Sequence, residues 1–392
     1  MTTEVEFAGL KLRNPFVAAS GPETSSIEKL IKCEDNGAAA VSTKLSLMRQ
    51  PWPGQLRMYS VPGEASIVCH DRRLDMDEGF ELVRRAKERT NLVIFVNITH
   101  PSEDLEGWQT LARGFEQAGA DAIELNLICP NISFSVKRMG EAIKESHGAA
   151  IGQNPDTCYA VTKAVKEAVS IPVVPKLTPN VNDITVTALA CERAGADGIC
   201  IAGGQSALPK VDIYAGGKPD YPFLDGASFG SLGGPVCLNQ SFALVAQAAR
   251  ALKIPVIGGG GISTWQDAIM MMMWGATLVT ACTVIMWERF SVIRDIVNGM
   301  EKFLEEQGYS SFKDITGMSL KYLKASRDLV VEQAVATIDY DECIDCLKCV
   351  ELGHCTAIVE QDGKAVVIPE ECVGCAICVR VCPQGAIHMK AL

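Results

Sequence analysis

Short apolar runs and longer amphipathic stretches alternate along the first 320 residues of the chain. The runs are apolar at nearly every position, which is typical of parallel strands that are covered on both faces. Eight such runs are found, at residues 16–20, 39–44, 92–98, 122–128, 172–177, 198–204, 255–261 and 277–283. The pattern therefore predicts eight strands, each followed by a helix.

A glycine precedes every second run and is expected to end the helix before it. These glycines, Gly37, Gly119, Gly195 and Gly275, recur about every 80 residues, the length of two strand–helix units. Eight such units close into a TIM barrel, so we predict an α/β fold with a (β/α)8 barrel over residues 1–320. A doubly wound open sheet is the alternative, but the first strand–helix turn has no GxGxxG motif to support it.

The balance of charges excludes one class of function. The chain has 392 residues, with 36 Lys and Arg against 47 Asp and Glu, which gives a net charge of −11. A chain this acidic is unsuited to binding along a nucleic-acid backbone. Its apolar runs are too short for a membrane span and its first residues do not resemble a signal peptide, so we expect a cytoplasmic protein.

Cysteine usage divides the chain into two parts. Of the 16 cysteines, eight are scattered between Cys33 and Cys282, and eight are crowded between Cys343 and Cys382. A reducing cytoplasm disfavours disulfides, so the crowded cysteines indicate metal ligands. We predict a barrel domain, a linker and a C-terminal metal-binding domain, at residues 1–320, 321–336 and 337–392.

The crowded cysteines form two runs with the spacing of a bacterial two-cluster ferredoxin. The first is Cys-x2-Cys-x2-Cys-x5-Cys and the second is Cys-x2-Cys-x2-Cys-x3-Cys-Pro. In such ferredoxins the fourth cysteine of a run binds the other cluster. We therefore assign one [4Fe-4S] cluster to Cys343, Cys346, Cys349 and Cys382, and the other to Cys372, Cys375, Cys378 and Cys355. A pair of zinc ribbons is the alternative, but zinc sites usually use separate Cys-x2-Cys pairs.

Lysines and glycines mark the carboxyl ends of the predicted strands, where a TIM barrel carries its active site. Lys44 and Lys176 lie at two of these ends, and two lysines in one barrel mouth require an anion. The seventh run ends in a glycine-rich turn at Gly259 and Gly260, and bare backbone N–H groups there can bind a phosphate. These features predict a phosphorylated cofactor, and FMN fits. A flavin also accepts electrons in pairs while iron–sulfur clusters pass them singly, so the two kinds of cofactor are compatible.

Several segments resemble a known family: NPFVAASGP (14–22), TKLS (43–46), GADAIELNLICPN (119–131), GQNP (152–155), PKLTPNVNDI (175–184), AGADGI (194–199) and GGGGISTWQDA (258–268). Together with the cysteine-rich tail, they make the whole chain similar to the dihydroorotate and dihydropyrimidine dehydrogenases. The resemblance is greatest to the catalytic subunits of NAD-dependent dihydropyrimidine dehydrogenases. It implies an FMN-binding barrel joined to a two-cluster ferredoxin domain.

The resemblance also implies roles for individual residues. FMN is expected to contact Ala19, Ser20, Lys44, Asn126 and Lys176, and the backbone around Gly203, Gly233, Gly259, Gly260, Cys282 and Thr283. Cys129 matches the cysteine that the family uses as general acid and base on the loop after the fourth strand. Its thiol would exchange a proton with one substrate carbon while the flavin exchanges hydride with the neighbouring carbon.

Positions expected to contact the substrate depart from the pyrimidine pattern. Gly203 and Gly204 stand where the dihydropyrimidine enzymes have an Asn-Thr pair, and Ile128 replaces a serine. Cys69 or His70 replaces an asparagine. Loss of hydrogen-bonding groups weakens the binding of a polar ring, so a less polar or bulkier substrate is expected.

The loop at residues 131–151 is longer than in that family. It carries four basic residues, Lys137, Arg138, Lys144 and His147. They could meet an anionic group of the substrate, such as a carboxylate or a CoA phosphate. Solvated loop charges are the alternative.

These features predict an FMN- and iron–sulfur-dependent oxidoreductase, similar to the dihydropyrimidine dehydrogenases. It would reduce an activated C=C bond of a small cyclic or carbonyl-conjugated substrate, or oxidise the saturated product. The sequence has no nicotinamide-binding fingerprint, so electrons are expected from ferredoxin or from an FAD/NAD(P)H-binding subunit, in a homo- or hetero-oligomer. Two alternatives stay open: the same chemistry on an anionic or CoA-linked non-pyrimidine substrate, and a non-catalytic FMN and iron–sulfur relay subunit.

Overall fold

The computed structural model describes residues 1–50, 53–130 and 147–392. The chain divides into two compact units, Met1–Tyr322 and Leu323–Leu392.

Eight parallel strands form a closed barrel in the first unit. They are β1 (Phe16–Ala18), β2 (Ala40–Ser42), β3 (Val93–Ile98), β4 (Ala122–Leu127), β5 (Val173–Leu177), β6 (Ile199–Ile201), β7 (Val256–Gly259) and β8 (Leu278–Ala281). Each strand pairs with the next, and β8 pairs in parallel with β1, which closes the ring. All eight predicted strands are observed, and the predicted TIM barrel is confirmed.

Eight longer helices of the described ranges accompany these strands. They are α1 (Ile27–Asp35), α2 (Met76–Arg89), α3 (Leu105–Ala118), α4 (Pro155–Lys166), α5 (Ile184–Arg193), α6 (Leu238–Ala251), α7 (Trp265–Met273) and α8 (Ser291–Gln307). Side chains of Asp104, Asn154 and Asp183 accept backbone N–H groups in the first turns of α3, α4 and α5. The four glycines predicted to end helices have φ angles between +94° and +113°. This left-handed conformation is open to glycine at little cost, and it turns the chain back toward the barrel.

A hairpin of Val5–Phe7 and Leu10–Leu12 closes the amino-terminal end of the barrel. Phe7 is fully buried and packs edge-to-face on Phe95 of β3, with ring centroids 6.1 Å apart. A side chain on Gly198, directly before β6, would overlap the Phe7 ring. The barrel is therefore plugged on this side, and its opposite end is left for a site.

A four-stranded antiparallel sheet stands at the other end. Its order is Ser206–Ala207, Gly230–Gly233, Ala65–His70 and Arg57–Val61. The sheet joins a segment that follows β2 to one that follows β6, and so builds a wall beside the barrel mouth.

The remaining elements of the first unit are short. The strand pairs are Ser46–Leu47 with Leu74–Asp75 and Val211–Asp212 with Lys218–Pro219. Among the described residues of this unit, short α-helices are found at Ala149–Gly152 and Thr283–Glu288, and 3₁₀ turns at Pro22–Thr24, Pro235–Cys237, Phe312–Asp314 and Leu320–Tyr322. In the ranges that the structure covers, no helix has both the length and the apolar composition to span a bilayer.

The second unit contains two antiparallel strand pairs. These are Ala334–Ile338 with Ile387–Ala391, and Ile358–Gln361 with Lys364–Val367. A short helix, Ile377–Val381, and 3₁₀ turns at Ser326–Asp328 and Pro369–Glu371 complete it. Residues 334–336, which we predicted to be linker, belong to the first of these strands, because they pair with the last strand of the unit.

Candidate active site and cluster-binding cysteines

A cleft opens at the carboxyl ends of the barrel strands. It encloses about 1180 Å³ of empty space, part of it open to solvent, which is room for a cofactor together with a substrate. Most residues predicted for the site line this cleft: Ala19, Ser20, Lys44, Asn126, Ile128, Cys129, Lys176, Gly203, Gly204, Gly233, Gly260, Cys282 and Thr283. The structure thus brings together residues from almost every strand end.

The structure corrects the predictions for Cys69 and His70, which do not line the cleft. Side chains alternate along their strand, so Val68 faces the cleft while Cys69 packs against Tyr221 on the other face. Burial raises the pKa of the Cys69 thiol. Nδ1 of His70 lies 2.7 Å from the carbonyl oxygen of Gln55.

Gly259 also lies outside the cleft lining. A Cβ atom at this position would be 2.7 Å from the carbonyl oxygen of Thr280 on β8. Gly259 therefore allows β7 and β8 to approach closely, while Gly260 and Gly261 reach the cleft.

Lys176 is held in place by a buried carboxylate that the sequence analysis missed. Nζ of Lys176 lies 3.5 Å from Oε2 of Glu124, which also accepts hydrogen bonds from Oγ of Ser42 at 2.5 Å and from the side-chain amide of Asn97. Burial disfavours the charge of Lys176, but the attraction of Glu124 together with that of nearby cysteines outweighs this effect, and the pKa of Lys176 is raised. The ammonium group is therefore kept charged at the floor of the cleft.

Lys44 also has an acidic partner. It forms an ion pair with Asp71, which follows the strand Ala65–His70 and lines the cleft. Arg73 lines the same wall and donates a hydrogen bond to the carbonyl oxygen of Asp71 at 3.0 Å. An acidic residue directly after an apolar strand was the sequence signal that could have identified Asp71.

Asn126 orders the loop that carries Cys129. Its side-chain nitrogen donates to Oδ1 of Asn97 at 2.9 Å, and its Oδ1 accepts the backbone N–H of Cys129 at 3.1 Å. The carbonyl oxygen of Cys129 accepts the N–H of Ala149 at 3.1 Å. Cys129 is half-buried, and its position at the cleft is fixed by its backbone on both sides.

Of the four basic residues in the loop at residues 131–151, the structure describes His147. Lys137, Arg138 and Lys144 lie outside the described residues, so their predicted role is not addressed by the structure. His147 is described and is not one of the cleft-lining residues.

In the second unit the eight clustered cysteines surround two separate cavities. Cys343, Cys346, Cys349 and Cys382 line one, and Cys355, Cys372, Cys375 and Cys378 line the other. These are the two sets proposed from the spacing. The loops bend tightly around them, since Asp345, Leu347 and Ala376 have φ angles between +50° and +60°.

Comparison with known families decides the relationship. The family model described as dihydroorotate dehydrogenase matches residues 2–304, and one described as a 4Fe-4S dicluster domain matches residues 336–389. The chain belongs to the dihydroorotate dehydrogenase family. The predicted resemblance, the FMN cofactor and the two [4Fe-4S] clusters are thereby confirmed.

Similar proteins fall into two groups. The catalytic subunit of dihydroorotate dehydrogenase B (NAD(+)) from Pyrococcus furiosus is 35% identical over 323 residues, covering 82% of this chain and 100% of the relative. The same subunit from Methanosarcina mazei is 35% identical over 320 residues, covering 79% and 93%. The NAD-dependent dihydropyrimidine dehydrogenase subunit PreA from Escherichia coli K12 is 27% identical over 409 residues, covering 98% and 94%.

The cleft fits the phosphate of the FMN that the dihydroorotate dehydrogenase family binds. The start of α6 lies beside Gly203, Gly260 and Gly261 of the cleft lining. A Cβ atom on Gly261 would be 2.6 Å from the backbone nitrogen of Leu238, the first residue of α6. Oγ of Ser241, in the first turn of α6, is buried and has no hydrogen-bond partner in the part of the chain that is described. Bare backbone N–H groups, a helix amino terminus and a buried hydroxyl together suit a phosphate.

Backbone conformation explains why the end of β6 departs from the pyrimidine pattern in this member of the dihydroorotate dehydrogenase family. Gly204 has a φ of +122°, which side-chain-bearing residues rarely adopt, and its Cβ would lie 3.1 Å from Ile128. Asn180 holds this turn, donating to the carbonyl oxygen of Gly204 at 3.2 Å and accepting the N–H of Ser206 at 2.9 Å. Ile128 therefore packs where a polar side chain would otherwise stand.

Proposed function

We propose that this protein is an FMN- and iron–sulfur-dependent oxidoreductase that reduces an activated C=C bond of a small cyclic or carbonyl-conjugated compound, or oxidises the saturated product. The observation that carries the proposal is the position of Cys129. Its loop is held by Asn126 at the wall of a cleft that also contains two buried lysines. When bound there, FMN supplies hydride exchange with one substrate carbon.

The residues of the chain supply the rest of the chemistry. The thiol of Cys129 exchanges a proton with the second carbon, as a general acid in reduction and a general base in oxidation. Lys176 keeps its positive charge through Glu124 and stabilises negative charge that develops in the cleft. Asn126 orients the Cys129 loop and lines the cleft itself.

Dihydropyrimidine dehydrogenase-like activity is the named reaction we favour. The support is the alignment with the PreA subunit, which extends over 98% of this chain, tail included. Oxidation of dihydroorotate is the second candidate, because the catalytic subunits named for that activity are 35% identical to this chain. Gly203, Gly204 and Ile128 provide no side-chain hydrogen bonds, so a less polar compound than uracil is a third outcome to be assayed.

Electrons are proposed to pass between the FMN and a partner through the two clusters. The partner is ferredoxin or an FAD/NAD(P)H-binding subunit, in keeping with relatives that are themselves named as subunits. A relay protein without a substrate is the alternative, and the thiol at the cleft wall argues against it.

The test is an anaerobic assay of the full-length holoprotein with an artificial electron donor or acceptor. Uracil, orotate, their dihydro forms and less polar cyclic enones are offered, and flavin reoxidation or reduction is followed. Cys129→Ala should bind FMN normally but turn over about 10²–10⁴-fold more slowly. Cys69→Ser, a change to a thiol that faces away from the cleft, is the matched control. Turnover of Cys129→Ala at the wild-type rate would move the proton donor elsewhere, and no turnover of any compound would favour the relay.

A further inference from the structure

A buried carboxyl group lies behind the wall of the cleft and has no part in the chemistry described so far. Glu23 belongs to the 3₁₀ turn Pro22–Thr24 that follows β1 and is 5% exposed. Neither of its carboxylate oxygens has a hydrogen-bond partner among the residues that the structure describes. Buried polar groups are normally hydrogen-bonded, so this orphaned carboxyl calls for an explanation.

The carboxyl group lies close to Gly21, a residue of the cleft lining. A Cβ atom on Gly21 would lie 2.7 Å from each oxygen of Glu23 and 2.6 Å from Sγ of Cys282. Gly21 and Cys282 both line the cleft. The carboxyl group of Glu23 therefore packs beside two residues of the cleft lining, where a charge bound in the cleft acts on it.

The charged and titratable groups around Glu23 do little to stabilise its negative charge. Lys29 and Cys33 face it from α1, Lys44 from the segment after β2, and Cys282 from the segment after β8. Lys29 donates to the carbonyl oxygen of Pro22 at 2.6 Å, and Lys44 is paired with an aspartate, so both lysines are engaged elsewhere.

Burial therefore dominates and raises the pKa of Glu23 to about 7, while the thiol of Cys282 and the two lysines oppose the rise. The pKa of Cys282 is raised in turn, first by burial and then by the nearby Glu23. Because burial brings the pKa of Glu23 toward neutral pH, a change of charge in the cleft shifts its protonation.

We propose that Glu23 is a proton-exchanging positioning residue of the flavin site, which takes up a proton from water when the cleft gains negative charge and releases it when that charge is lost. The step is an acid–base one: a carboxylate and a solvent proton give a carboxylic acid, and no electron leaves or enters Glu23. Two electrons delivered to the cleft add the negative charge that draws the proton in. The proposal rests on the proposed function only through the reducible flavin.

The first test is the pH dependence of the flavin midpoint potential in the holoprotein, measured without substrate between about pH 5 and pH 9. One extra proton per electron pair changes the two-electron equilibrium tenfold per pH unit, which is about 30 mV. Near neutral pH the flavin midpoint potential of wild type should therefore fall more steeply with pH than that of Glu23→Gln, by up to about 30 mV per pH unit. Glu28→Gln, a change to an exposed carboxyl on α1, should match wild type.

A second measurement needs no variant. The infrared difference spectrum between reduced and oxidised wild type at neutral pH should contain a protonated-carboxyl band that shifts in D₂O. Equal potential slopes in wild type and Glu23→Gln, or the absence of this band in wild type, would overturn the proposal. Because substrate is not involved, a protein that reduces no C=C compound contradicts the proposed function and leaves both measurements decisive.

Discussion

The ammonium nitrogen of Lys176 lies 3.5 Å from a carboxylate oxygen of Glu124, and both side chains are buried, at 8% and 3% exposure. Neither charge has free access to water, so each depends on the other. Removal of one partner from a buried pair typically costs about 3–5 kcal/mol, because the remaining charge is left uncompensated.

Glu124→Gln should therefore destabilise the barrel by about 3–5 kcal/mol and lower the pKa of Lys176. Chemical unfolding followed by far-UV circular dichroism measures the loss. Glu167→Gln removes a carboxylate from an exposed pair with Lys163 and should change the midpoint little. If Glu124→Gln changed the unfolding midpoint as little as Glu167→Gln, the buried pair would not be needed for stability.

Gly260→Ala should reduce FMN occupancy, because a Cβ there would lie 2.5 Å from Oγ of Ser241 and would overlap the backbone of Gly203. We expect affinity for FMN to fall about tenfold or more, equivalent to ~1.4 kcal/mol. Gly216→Ala is the matched control, since Gly216 also has a positive φ, +67°, but has open space around it. The control should lose only about 1–2 kcal/mol of stability, from backbone strain at the positive φ. Flavin absorbance after gel filtration measures both, and full occupancy in Gly260→Ala would argue against the phosphate cradle.

The raised pKa of Glu23 has a consequence for stability. The folded protein holds this proton up to about pH 7, whereas the unfolded chain releases it near its ordinary value of 4.5. Stability therefore falls as pH rises through this window, and the loss is complete above it. Glu23→Gln should be more stable than wild type at about pH 8, by about 3 kcal/mol, with a smaller difference at about pH 5. The denaturant midpoints of wild type and Glu23→Gln, measured at both pH values, test this prediction. A difference in stability between the two proteins that does not grow with pH would contradict it.

Iron content should follow the two cysteine sets. Wild type should hold about eight irons per chain, and either Cys346→Ala or Cys375→Ala should retain about four, because each change removes a ligand from a different set. Cys158→Ala, a buried barrel cysteine, should keep all of them. Anaerobic iron and sulfide analysis with electron paramagnetic resonance tests the assignment. Loss of the same cluster in both variants would mean that the sets are divided differently.

The strands and the cysteine sets could be predicted because their signals are local. An apolar run of five to seven residues, preceded in every second case by a helix-ending glycine, is read directly from the sequence. The cysteine sets follow from a spacing rule that describes one continuous loop and its crossover partner. The TIM barrel then determines which strand ends meet.

The cleft-facing side of Ala65–His70, the burial of Glu23 and the conformation of Gly204 could not be predicted in the same way. Whether Val68 or Cys69 faces the cleft depends on the pairing of Ala65–His70 with Gly230–Gly233, a contact between distant parts of the chain. The burial of Glu23 depends on the packing of α1 and of the segments after β2 and β8 around it. The left-handed φ of Gly204 depends on Asn180, which reaches over from the turn after β5. Each of these is set by tertiary packing and leaves no periodic trace in the sequence.

The wall beside the barrel mouth also constrains the order of folding. Ala65–His70 is synthesised early, but its partner Gly230–Gly233 emerges only after six of the eight barrel strands. Contacts between such distant segments carry a high loop-closure cost and tend to form late. Closure of the barrel waits longer still, because β8, which pairs with β1, emerges after Gly230–Gly233. The wall and the closed barrel are therefore both completed late, and FMN would bind only to protein whose folding was almost finished.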